Sequence, residues 1–106
     1  MSEHHTSQVT TDAPGRITVT GDMDLFGASA LRRAVGKEST NGAGSIRVDL
    51  SRITWINGSA LRHVATTRRW MSDLLGVDVD LVEWSAAVMQ MSARTRLDGV
   101  LGRAAA

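Results

Sequence analysis

The change of hydrophobic period across residues 46–75 constrains this chain more than any other feature. Ile46, Val48 and Leu50 alternate with Arg47 and Asp49, the period-two pattern of a strand with one buried face. From Leu61 the spacing becomes three and four, through Val64, Ala65, Arg68, Met71, Leu74 and Leu75, and predicts an amphipathic helix over residues 61–75. Between them, Asn57 is a favoured N-cap, because its side chain accepts a hydrogen bond from an orphan amide of the first turn. Ser59 then falls just inside the helix with its hydroxyl near the surface. A helix N-terminus carries unpaired amides and partial positive charge, so it tolerates an added phosphate well. Phosphorylation there adds roughly −1.5 to −2 charge without melting the fold. By the residues alone, a plain polar residue of a first turn is the better reading of Ser59.

The rest of the chain alternates strands with helices. Residues 1–7 are polar and are expected to form a disordered tail. Residues 8–11 read as a short edge strand, turned back by Asp12-Ala13-Pro14-Gly15 into a strand at 16–20. Residues 26–35 are expected to be the first helix, with Phe26, Leu31, Ala34 and Val35 inward and Arg32 and Arg33 outward. The Gly-, Ser- and Asn-rich stretch 36–45 reads as a loop. Gly76 stops the second helix. Val77, Val79 and Leu81 alternate with Asp78 and Asp80 in a last strand. Ser85 caps a third helix to about residue 92, and a turn or short helix follows at 97–101. The result is an α/β domain over residues 8–103, with a mixed sheet of four or five strands packed with about four helices.

Composition narrows the function classes. A chain of 106 residues with 42% hydrophobic and 22% charged residues fits one globular domain. Twelve basic against eleven acidic residues give a net charge of +1, which implies no broad attraction to nucleic acid or membrane. Without cysteine there is no disulfide, thiolate metal site or catalytic thiol. No apolar run approaches the ~20 residues of a membrane span, so a cytoplasmic location is expected. His4 and His5 lack a third ligand in sequence, Gly42-Ala43-Gly44 lacks the Lys-Ser/Thr of a phosphate loop, and His63 reads as a surface histidine. No nucleophile, base and orienting group can be assembled, so no enzyme and no cofactor are expected. Trp55 is expected to be largely core. Trp70, opposite the buried stripe and on one face with His63 and Thr66, is either a lid on the core's edge or an interface anchor. Arg62, Arg68 and Arg69 read as a solvated face.

The segment from Val48 to Leu61 resembles the central motif of STAS domains, the modules of anti-sigma factor antagonists and sulfate-transporter tails. In that family, Asp-Leu-Ser leads through an apolar Ile/Val-x-Phe-Ile/Leu-Asp stretch into Ser-Ser-Gly-Leu at a helix start. Asp49-Leu50-Ser51, Ile53, Trp55, Ile56 and Leu61 match in place. Residues 17–24 resemble the family's strand followed by Gly-Glu-Leu-Asp, and the likeness extends over about residues 8–102. Ser59 falls on the position phosphorylated in the antagonists. The family's Asp-Ser-Ser-Gly is replaced by Asn57-Gly58-Ser59-Ala60, so an acidic residue, a serine and a glycine are lost.

The resemblance implies a STAS-like fold and a protein-binding module. The implied partner is an anti-sigma factor with a serine-kinase fold, which binds the ATP itself. Ser59 would be the switch, framed by Asn57, Gly58, Ala60, Arg62 and His63, with Asp22 and Asp24 from the adjacent loop and Trp70 as a further contact. Two alternatives stay open. One is a non-phosphorylated STAS scaffold subunit of another assembly, such as a lipid-transport ATPase or a stress-signalling complex. The other is a module that binds a small ligand at the same helix N-terminus.

Overall fold

The computed structural model describes residues 7–102. Their elements run β1 (Ser7–Ala13), β2 (Arg16–Met23), α1 (Leu25–Thr40), β3 (Ser45–Ile56), α2 (Gly58–Leu75), β4 (Asp78–Val82) and α3 (Ala86–Thr95). The sheet order is β1-β2-β3-β4, with β1 antiparallel to β2 and the remaining neighbours parallel. Both parallel crossovers step in one direction, so crossovers of one hand put α1 and α2 on the same face, where they pack against each other. The body measures 38 × 36 × 20 Å, the thickness of one sheet and one helical layer.

The strand alternation decides which face is covered. Ile17, Val19, Ile46, Val48, Leu50, Val79 and Leu81 are buried toward the helices. Their neighbours Arg16, Arg47, Asp78 and Asp80 lie exposed on the opposite face. From the helices, Ala28, Leu31 and Val35 of α1, and Leu61, Val64 and Ala65 of α2, complete the core. Glu38, also buried, accepts a 2.8 Å hydrogen bond from the Gly15 amide and so fastens the β1–β2 turn to the end of α1.

Several expectations require correction. Residues 36–40 continue α1, leaving only a short turn before β3. Ser7 belongs to β1 rather than to a tail; the remainder of the expected tail lies outside the described residues. Three helices are present among the described residues where about four were expected; the turn expected near 97–101 is there, at residues 98–102, with Leu101 buried. Phe26 points outward at 84% exposure, and Trp55 is 43% exposed rather than core. Leu74 and Leu75 are exposed as well; Leu74 lies about 220° around the helix from Leu61, off the buried stripe. Arg68 is no solvated cation. Its Nε donates to the Val79 carbonyl at 3.0 Å and its Nη1 to the Val100 carbonyl at 2.8 Å. Gly76 ends α2 at φ 65, the left-handed cap that glycine adopts without a Cβ penalty.

Candidate functional site

Because β2 and β3 run parallel, α1 and α2 both begin at the same edge of the sheet. Asp24 caps α1, its Oδ1 accepting from the Gly27 amide at 3.0 Å. Asn57 caps α2, its Oδ1 accepting from the Ala60 amide at 2.8 Å. The Asn57 amide donates to the Met23 carbonyl at 3.4 Å, which couples the two helix starts. Each cap satisfies one orphan amide and leaves the others of its first turn pointing outward.

Ser59 is the second residue of α2 and is exposed. Gly58 beside it lies against α3, where an added Cβ would stand 3.5 Å from Thr95 Cγ2 and 3.9 Å from Met91 Sδ. Those are ordinary contacts, so the serine of the family pattern would fit there. Asp22 occupies the end of β2 rather than a loop, and its Oδ1 accepts from Thr54 Oγ1 at 2.7 Å. Arg62, one turn along α2, is exposed. Thus Asp22, Asp24, Asn57, Gly58, Ser59 and Arg62 come together at one edge.

Three other expected site residues stand apart. Ala60 is fully buried and cannot itself touch a partner. His63 is half-buried rather than a surface residue, and its Nε2 is enclosed without a hydrogen-bond partner among the described residues. Trp70 lies roughly 16 Å further along the α2 axis than Ser59, with the Arg32 guanidinium 5.1 Å from its ring centroid.

Sequence reasoning missed the apolar members of the edge. Leu25 is 49% exposed and Phe26 still more so. Both belong to the first turn of α1, at the edge from which α2 starts. Trp55 aligns with Asp22 across the β2–β3 pair and lines a groove of about 210 Å³ with Thr54, Ile56, Ala87, Gln90, Met91 and Arg94. A signal for Phe26 was available: it precedes Leu31 by five residues, about 140° around a helix, so the two do not share a face.

Fold and edge together define a small α/β domain with two capped helix starts at one sheet edge. A STAS_2 family model, described as "Mlab, STAS domain", matches residues 6–102. The chain belongs to that family. Among solved structures, an anti-sigma factor antagonist from Mycobacterium paratuberculosis superposes with a TM-score of 0.70 at 22% identity, covering 97% of this chain and 87% of that one. The anti-sigma factor antagonist SpoIIAA in its unphosphorylated form gives 0.62 at 14% identity, covering 94% and 89%. SLC26A9 gives 0.59 at 18% identity, over 85% of this chain and 18% of that one. No curated protein matches the chain. These likenesses establish the fold of anti-sigma factor antagonists.

Proposed function

We propose that this domain is an anti-sigma factor antagonist-like binding module whose Ser59 edge engages a kinase-fold anti-sigma factor and is released when Ser59 is phosphorylated. The observation that carries the reading is Ser59 exposed in the first turn of α2 at the sheet edge that also bears Leu25, Phe26 and Trp55. Large apolar side chains of this kind anchor interfaces. The helix start tolerates a dianion, so phosphorylation leaves the fold intact. The same dianion at an apolar contact costs desolvation and repels carboxylates of the partner, which breaks the complex. ATP belongs to the partner, and the module has no catalytic role of its own.

A second reading, a constitutive scaffold, is favoured by Asn57 and Gly58. Asn57 keeps the cap but removes the negative charge that a kinase partner would read beside the serine. The experiment is incubation with ATP and kinase-fold anti-sigma factors, followed by mass spectrometry of the peptide spanning residues 52–62 and by pull-down. The switch predicts phosphate on Ser59, binding by Ser59→Ala, and loss of binding by Ser59→Glu. An unmodified Ser59 together with undiminished capture of Ser59→Glu refutes the switch and selects the scaffold.

A further inference from the structure

The net charge of +1 conceals a segregation that only the fold reveals. Arg32, Arg33 and Lys37 of α1, and Arg62 and Arg69 of α2, are exposed on the helical layer. Against them, the exposed acid of these two helices is Asp73, already 3.7 Å from Arg69. Among the described residues, no carboxylate pairs with Arg32, Arg33, Lys37 or Arg62. The bare sheet side is mixed, with Arg16 and Arg47 exposed beside Asp12, Asp78 and Asp80. The basic excess therefore lies on the helical layer.

Within the basic layer, the far half of α2 exposes three large apolar side chains in six residues: Trp70 at 47%, Leu74 at 74% and Leu75 at 60%. Single exposed apolar residues are ordinary on a protein surface, whereas a group of this size needs an explanation. Trp70 and Leu74 are one helical turn apart and share a face, as do Arg33 and Lys37 on α1. Arg32 joins the two helices by stacking over the Trp70 ring.

We infer that the α1–α2 face around Trp70 and Leu74 is a docking surface for an anionic membrane. The cations match the negative surface potential of acidic headgroups, an attraction that needs no fixed register. Tryptophan and leucine flanked by arginine and lysine are the residues that settle at the headgroup boundary. They stand exposed on the helical layer of a slab 20 Å thick, which suits a flat and deformable partner. An acidic protein would have to hold carboxylates in fixed register with cations spread over two helices, a demand that fluid headgroups do not face. Nucleic acid gives no use to Leu74 and Leu75. This surface is independent of the Ser59 reading, since it occupies the other end of the helix pair.

The test is sedimentation of the full chain with phosphatidylglycerol-containing vesicles and with neutral phosphatidylcholine vesicles. Binding to the anionic vesicles alone, weakened by salt, is expected, with a blue shift of tryptophan emission that Trp70→Ala abolishes and Trp55→Phe retains. Removing one cation should weaken the partition about fivefold, so Arg33→Gln combined with Lys37→Gln should lower it about 25-fold. The melting temperature of that variant should not change, since both side chains lie off the core. Equal behaviour toward the two vesicle types overturns the inference. Retention on immobilised polyglutamate without vesicle binding also overturns it and identifies an acidic polypeptide as the occupant.

Discussion

Replacing Arg68 by methionine tests the packing of the C-terminal segment most directly. Methionine keeps an unbranched apolar stem in place but removes both donors. The Val79 carbonyl loses a part-buried bond and the Val100 carbonyl an exposed one. Hydrogen bonds from a charged donor contribute about 1.5–3 kcal/mol each, and water replaces most of the exposed one, so a loss of about 2–3 kcal/mol follows. For a domain near 100 residues, 1 kcal/mol moves the melting temperature by about 4–8 °C, which gives a fall of about 10–20 °C. Circular dichroism during heating measures the fall. Hydrogen exchange locates it: the Leu101 amide, bonded to the Leu97 carbonyl at 2.9 Å, and the Gly102 amide, bonded to Gly99 at 3.1 Å, should lose protection first. Arg68→Lys should recover only part of the loss, since one ammonium lacks the planar fork that spans two carbonyls. A fall below about 4 °C, within the effect of a single kcal/mol, or unchanged protection at Leu101, would refute the account.

Other expectations follow from the same geometry. Asn57→Ala removes the α2 cap and should cost about 1 kcal/mol in urea unfolding, with Asn57→Asp nearly neutral. Phe26→Ala should leave the melting temperature within the small range of exposed positions, below about 0.5 kcal/mol, yet weaken partner capture severalfold; a large stability loss would mean that Phe26 is packed after all. Gly27→Ala drives a Cβ to within 2.1 Å of Ser7 Oγ and 3.1 Å of Met23 Cγ, so it should destabilise, and Ser7→Gly should restore part of the loss in the same thermal assay. Asp49 titrates below its ordinary 3.8, chiefly because Ser51 hydrogen-bonds the carboxylate through its side chain and amide, with burial opposing and Arg52 assisting. A lowered folded-state pKa contributes stability above the unfolded value that is lost as pH falls through the folded one. The advantage of wild type over Asp49→Asn should therefore be present at neutral pH and vanish in acid, in a series of melts against pH.

How far the fold was legible depended on which residues carried the information. Ile46, Val48 and Leu50 obey the period of their strand, and Asn57, Ser85 and Gly76 carry capping chemistry that acts within one turn, so the adjacent elements could be read locally. Trp55 could not. Between Thr18–Asp49 and Thr20–Arg52, and again between Gly21–Ile53 and Asp22–Trp55, β3 carries one residue more than β2. Those two bulges break the alternation, leaving Ile53 and Ile56 buried three residues apart and Trp55 outside. Phe26 was misassigned for a different reason: an apolar side chain facing solvent has the same composition as one facing the core, and only its angle from Leu31 tells them apart. Arg68 was opaque because its acceptors lie on β4 and in the C-terminal turn, 11 and 32 residues away in sequence. At the site, Ser59 and its cap were legible, whereas the burial of Ala60 depends on packing that spacing alone does not fix.

The one-sided core has a practical corollary. Since α1 and α2 lie on the same side of the sheet, Thr10, Arg16 and Arg47, exposed on the other side, stand away from the core face and the helix starts. A fluorophore, a crosslinker or a tether to a surface can be attached there while both helical ends stay open. The domain can thus be watched from behind, with partner and lipid experiments run on one labelled molecule.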